Sequence, residues 1–311
     1  MTLRGDAMFF LGILAFIFLI WLSTGGPSRP ISFAGPYLTP ITTTGDRSEA
    51  YGDHITGETI RESLFNTQAD LQDLQEQLKD AKTFGEASPY RGQVTLSRST
   101  SGARSSNVKE EYIAIQTTGR AENDIYISGW QLVSVATGNH ATIPLGTKTL
   151  RTGQVNQTYP IALSPGDVAI ISSSRSPVGL SFKENMCSGY LEQNQTFEPG
   201  LRQSCPAPVD ELDRYYGNAL SDDKCYDFVS EELDTCTTDS RPPSRLSSGC
   251  TSFIQDRLSY NGCVATHQFD ADFSDDTWRI YVNGSRELWK QERESIKLLD
   301  AQGKTVDLIT Y

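Results

Sequence analysis

Residues 110–138 read EEYIAIQTTGRAENDIYISGWQLVSVATG, and their spacing decides the fold. Ile113 and Ile115 alternate with Tyr112, Ala114 and Gln116, the period of two that turns one face of a β-strand into a core. Ile125 and Ile127 start the same pattern again, but Trp130 and Leu132 fall on the opposite parity. One extra residue has to be absorbed between them, and Ser128-Gly129 is where a β-bulge would absorb it. With the parity corrected, Trp130 joins Ile127 on the core face. The stretch reads as two strands of a sandwich, joined by a polar loop and closed by a buried tryptophan.

The same period extends outward on both sides. Val94 and Leu96 alternate upstream, a short strand is expected at Ile143, and residues 159–163 lead into the turn SPGD and a strand at 168–172. At the C-terminus, ESIKLLDAQGKTVDLITY (294–311) carries Ile296 and Leu298 on one strand and Val306 and Leu308 on another. Between them residues 300–303 form a loop with glycine placed for a left-handed conformation. These residues resemble the lamin-tail domain through E-Y-I-x-I at 111–115, I-S-G-W at 127–130, L-x-P-G-D at 163–167 and the closing hairpin. The resemblance covers residues 92–174 and 276–311. It implies a mainly-β fold, an immunoglobulin-like sandwich over residues 90–311 with a long insert at 178–275. It also implies a tethering or interaction module, not an enzyme.

All six cysteines lie between Cys187 and Cys263, none in a C-x-x-C pair and none with a histidine at metal-ligand spacing. An even number confined to one segment of an exported chain reads as disulfides in an oxidising compartment. Two helices are expected in the insert. One carries Cys225, Tyr226, Phe228, Val229 and Leu233 and ends near Cys236. The other carries Cys250, Phe253, Ile254 and Leu258, with Ser247 or Ser248 as N-cap and Asn261-Gly262 as stop. Cys225 and Cys236 on one helix would lie on the order of 16 Å apart, beyond bridging distance. An antiparallel helical hairpin then pairs Cys225 with Cys263 and Cys236 with Cys250, which leaves Cys187 for Cys205. After the insert, Trp278, Ile280 and Val282 alternate up to Asn283-Gly284, the signal for a tight hairpin returning through Leu288-Trp289.

The N-terminal part reads as a means of mounting this domain. Residues 7–23, AMFFLGILAFIFLIWLS, are uncharged and apolar around the whole circumference, so residues 1–26 are expected to be an uncleaved single-pass membrane anchor. Arg4 precedes it, which puts the N-terminus in the cytoplasm and the bulk of the chain outside. Residues 27–57, rich in Gly, Pro, Thr and Ser, make an extended linker. Residues 58–84 hold Leu64, Leu71 and Leu78 at a and Ile60, Thr67, Leu74 and Ala81 at d, a coiled-coil stalk that would join copies of the chain. Phe84-Gly85 and Pro89 end it. This anchor–stalk–insert order is similar to that of membrane-anchored bacterial envelope proteins.

The net charge of −12 over 311 residues, with no basic run, argues against nucleic acid as a partner. No cofactor or metal centre is expected. The acidic run QFDADFSDDTW (268–278), with Asp270, Asp272, Asp275 and Asp276, lacks the glycine and terminal glutamate of a calcium loop and reads as solvated. His54, His140 and His267 are scattered. Asn156, Asn194 and Asn283 lie in N-x-T/S sequons, which a bacterial protein would leave unused. Tyr190, Tyr215 and Tyr216 are candidates for a binding face, since aromatic residues dominate contact hot spots. The function expected is an envelope binding or scaffold protein with an unidentified envelope partner. The alternatives are a hydrolase of envelope polymers using insert carboxylates such as Asp210 and Glu211, and a surface-coat subunit.

Overall fold

A computed structural model describes residues 13–16, 18–19, 65–72, 83–216, 222–239 and 241–311. The architecture is mixed α/β, with several sheets and three disulfides, where the sequence pattern had pointed to a mainly-β chain. The expected linker lies outside the described residues, as do most of the expected anchor and stalk. Residues 13–16, 18–19 and 65–72 are helical and exposed, and no helix among the described residues is long and apolar enough to cross a membrane. Thr83 and Phe84 close a helix that Gly85 ends at a φ of +78°.

The sheet frame is made by the alternating stretches. A six-stranded sheet runs β1 (Val94–Leu96), β2 (Tyr112–Thr117), β8 (Val168–Ser172), β10 (Ser274–Tyr281), β9 (Ser181–Asn185) and β6 (Gly146–Thr147). A four-stranded antiparallel sheet runs β12 (Thr305–Thr310), β11 (Ser295–Leu299), β4 (Gln131–Ser134) and β5 (His140–Thr142). A short pair, β3 (Ile125–Tyr126) with β7 (Ala162–Leu163), completes it. Ile113, Ile115 and Ile171 from the first sheet share one buried core with Leu132, Ile296 and Leu298 from the second. β11 and β12 form the expected hairpin, Ile296 opposite Ile309 and Leu298 opposite Asp307, with Gly303 at a φ of +79° in the loop.

Two motif acids hold this frame. The buried Glu111 carboxylate accepts hydrogen bonds from the backbone of Leu288 (2.9 Å) and Trp289 (3.1 Å), which pins the segment between β10 and β11. Asp167 accepts from the Ser164 backbone (3.1 Å), closing the SPGD turn, and from Lys183 Nζ (2.9 Å) on β9. Buried carboxylates are tolerated where such donors replace water.

Three local expectations are corrected. Trp130 and Ile127 are both buried, but by a turn and not a bulge: Trp130 N–H donates to the Ile127 carbonyl (3.0 Å) around Gly129, whose φ is +88°. The chain thereby leaves the short pair and enters the four-stranded sheet, so the parity change marks a change of sheet. Asn283-Gly284 forms no hairpin. The N–H groups of Val282, Asn283 and Gly284 donate to the carbonyls of Ser172, Ser174 and Ser173, so the chain runs on past β8. Third, the insert is not merely displayed. It supplies β9 to the large sheet and lets β10 lie parallel to β8, a pairing that needs a long crossover.

The rest of the insert is a helical lobe of α1 (Pro208–Tyr216), α2 (Asp223–Glu231), α3 (Ser248–Arg257) and α4 (Tyr260–His267), with its own buried cluster. All six cysteines are bridged, as Cys187–Cys263, Cys205–Cys236 and Cys225–Cys250. The pairing deduced from a helical hairpin is therefore wrong in every bridge. α2 stops at Glu231, and Cys236 sits beyond it in a turn at a φ of +60°. The second expected helix is two. Asn261-Gly262 does not stop it but lies in the first turn of α4, where a Cβ on Gly262 would come within 1.9 Å of the Asp256 carbonyl. Glycine there lets α3 and α4 meet closely and places Cys250 and Cys263 on different helices. Cys225 and Cys250 meet because both stand in first turns whose caps, Asp222 and Ser247, are joined by a 2.6 Å hydrogen bond.

Candidate functional site

A cleft of about 710 Å³ opens where the lobe meets the loop after β6, and its volume is in the range that takes small ligands. One wall is the loop 151–156. Asn156 shapes that loop from within, its side chain bonding the N–H (2.8 Å) and carbonyl (2.9 Å) of Arg151. Asn261 of α4 then grips Thr152 through both backbone groups, at 3.1 and 3.0 Å, much as a neighbouring strand would. The opposite wall is residues 193–195, at the end of the 3-10 turn Ser188–Gln193. That turn starts at Cys187, whose bridge to Cys263 ties it to α4. Both walls are thus fixed to the same helix.

Tyr190 and Tyr260 are buried at the base. Tyr260 Oη donates to the Leu150 carbonyl (3.1 Å) and accepts from Asn185 Nδ2 (3.3 Å). Burial pushes its hydroxyl up to about 12, with the Asn185 hydrogen bond and the Arg151 charge pulling the other way. Burial, and then the charge of Glu211, raises Tyr190 as well. Both tyrosines are therefore neutral donors at physiological pH. Among the described residues no carboxylate, histidine or lysine lines the cleft. Its one cation, Arg151, donates to Gln268 Oε1 at 2.8 Å. The lining offers hydrogen-bond donors and acceptors.

The candidate tyrosines are not one surface. Tyr190 lies under the cleft, whereas Tyr215 and Tyr216 stack edge-on at 4.8 Å and pack on Phe253. Tyr215 is exposed, with the Arg257 guanidinium over its ring. No cysteine is among the lining residues. Sequence reading missed the polar loops that make the walls, and the sequons at Asn156 and Asn194 are the only feature it singled out that falls in them.

Asp210 is exposed, and other insert carboxylates are engaged away from the cleft. Glu211 is buried against His267 Nε2 (2.9 Å), and Asp270 meets Nδ1 of the same ring at 2.7 Å, so this trio clamps α1 to the end of α4. Asp275 is chelated by Arg202 at 2.9 and 3.0 Å. Among the described residues no group of three or more His, Cys, Asp or Glu is placed to hold a metal ion. Arg279 of β10 is buried against Glu184 of β9 and donates to the carbonyls of Pro199 and Gly200, joining sheet and lobe.

No protein-family model matches the chain, and no curated protein is significantly similar to it. Three bridges with no free cysteine indicate an extracytoplasmic location.

Proposed function

We propose that this chain is a membrane-anchored binding and scaffold protein of the cell envelope, without catalytic activity. Its lamin-tail-like, immunoglobulin-like sandwich carries a disulfide-stapled lobe outside the membrane. Residues 1–26 form the anchor, with the N-terminus cytoplasmic, and the coiled coil at 58–84 joins copies of the chain. The observation that carries this reading is the cleft between lobe and frame. Its walls are held by a disulfide and by side chain–backbone hydrogen bonds, and its lining offers hydrogen bonds without an acid, a base or a nucleophile activated by one. A preformed cleft with tied walls suits recognition. Residues that make so firm a wall without catalytic groups are a binding surface.

The test is fractionation of cells expressing the full chain. The protein should stay with the membrane through an alkaline carbonate wash, and its lobe should be cut by protease added from outside. Release by carbonate, or protection from external protease while cytoplasmic markers are also protected, would overturn the proposal.

A further inference from the structure

We infer that the cleft between loop 151–156 and residues 193–195 binds an uncharged, hydroxyl-rich chain, that is, a segment of neutral oligosaccharide. The inference rests on reading the protein as a binding module and names its ligand class. Asn156, Asn261 and Tyr260 use their polar atoms to build the walls. Gln154, Gln193, Asn194 and Gln195 line the same space, are exposed, and make no side-chain hydrogen bonds with other described residues. Four carboxamides therefore face the opening from two sides. Each presents an acceptor oxygen beside a two-proton donor, the pair that a hydroxyl, itself donor and acceptor, satisfies from either side.

Charge excludes the main rivals. An anionic polymer is drawn by a run of cations, and the described lining has one, Arg151, which also gives one of its N–H groups to Gln268. A cationic ligand needs carboxylates, and the lining has none. An extended peptide is usually taken as an added strand on an open sheet edge. The edge strand nearest this lobe, β6, has only two residues, and the cleft walls are loops presenting side chains. Along one side Pro177, Val178 and Leu180 add a partly buried apolar strip. A pyranose ring has an apolar C–H face and a polar hydroxyl rim, so strip and carboxamides match its two aspects.

The experiment applies the full chain, in detergent micelles and with its disulfides intact, to an array carrying neutral, anionic and cationic glycans and uncharged Gly/Ser peptides. The strongest neutral trisaccharide is then titrated calorimetrically against the protein and its variants. Saturable binding confined to neutral glycans is expected. Gln193→Ala and Gln195→Ala should each weaken it about threefold to tenfold, the range for one neutral hydrogen bond, and the double variant by more than tenfold. Both side chains are exposed, so the variants should keep the parental melting temperature and all three bridges. No binding to any neutral glycan, preference for the anionic glycans or the peptides, or affinity indifferent to both variants would each overturn the inference. If the inference fails while fractionation still places the lobe outside the membrane, only the ligand class is lost. If fractionation fails too, the functional reading falls with it.

Discussion

The core of the sheet frame contains no cysteine. It is built from β-branched and leucine side chains with Trp130, Trp278 and Trp289, drawn from strands far apart in sequence. The core of the lobe contains all six cysteines, and much of the rest is aromatic, including Phe182, Phe197, Phe228, Phe253 and Phe273. The frame is held by burial, with no cross-link in its core. The lobe, with four helices of eight to ten residues, falls below the length at which isolated helices are stable. Cross-links that restrict its unfolded chain supply what burial does not. The two regions share one polypeptide and are stabilised by different means, and this difference can be attacked experimentally.

The sharpest attack removes a staple. Cys187–Cys263 closes a 76-residue separation, for which the chain-entropy relation gives about 4.5 kcal/mol. Replacing both by serine should strip amide-exchange protection from α1–α4 and leave β2 and β8 protected. If frame and lobe lose protection together, they are one cooperative unit and the contrast is void. The converse attack is Ile171→Ala, a fully buried frame residue. It should cost about 3 kcal/mol in urea unfolding, with the disulfide map unchanged. A loss below 1 kcal/mol would show that the frame does not depend on packing.

A smaller effect isolates cap from staple. Ser247→Ala removes the acceptor for Cys250 N–H (3.1 Å) and the donor to Asp222. A loss of about 1 kcal/mol is expected, and it should disappear when Cys225–Cys250 is also removed if the cap acts by positioning that bridge.

The smallest effect is a slope with pH. Burial raises the Glu111 carboxyl above its ordinary value, against the pull of the Leu288 and Trp289 N–H groups. The folded state then binds its proton more tightly than the unfolded chain does. Glu111 therefore favours folding below the ordinary carboxylate value and loses that contribution as pH rises through the folded-state value. Glu111→Gln should flatten the stability profile over that window. An unchanged slope would locate the titration elsewhere.

The sequence was most readable where neighbours along the chain determine the outcome. β1, β2, β8, β11 and β12 follow from alternation, Ser247 is the N-cap, and the C-terminal loop has its glycine at positive φ. It was least readable where the deciding partner is distant. β9, SFKEN, has no apolar alternation, and the charge of its buried Glu184 is compensated by Arg279, 95 residues on. Asn283-Gly284 carries a hairpin signal that Ser172–Ser174 carbonyls override. Disulfide pairing depended on where α2 ended and on the break between α3 and α4, which a close approach at Gly262 decides. The cleft left almost no trace, because surface carboxamides have neither period nor motif.

The most direct test is a disulfide map. Free thiols are blocked in intact cells before lysis, and the full chain is then recovered and digested without reduction. The account predicts no blocked cysteine and three linked peptides, Cys187 with Cys263, Cys205 with Cys236 and Cys225 with Cys250. Six blocked thiols, or the pairing of Cys225 with Cys263, would contradict it.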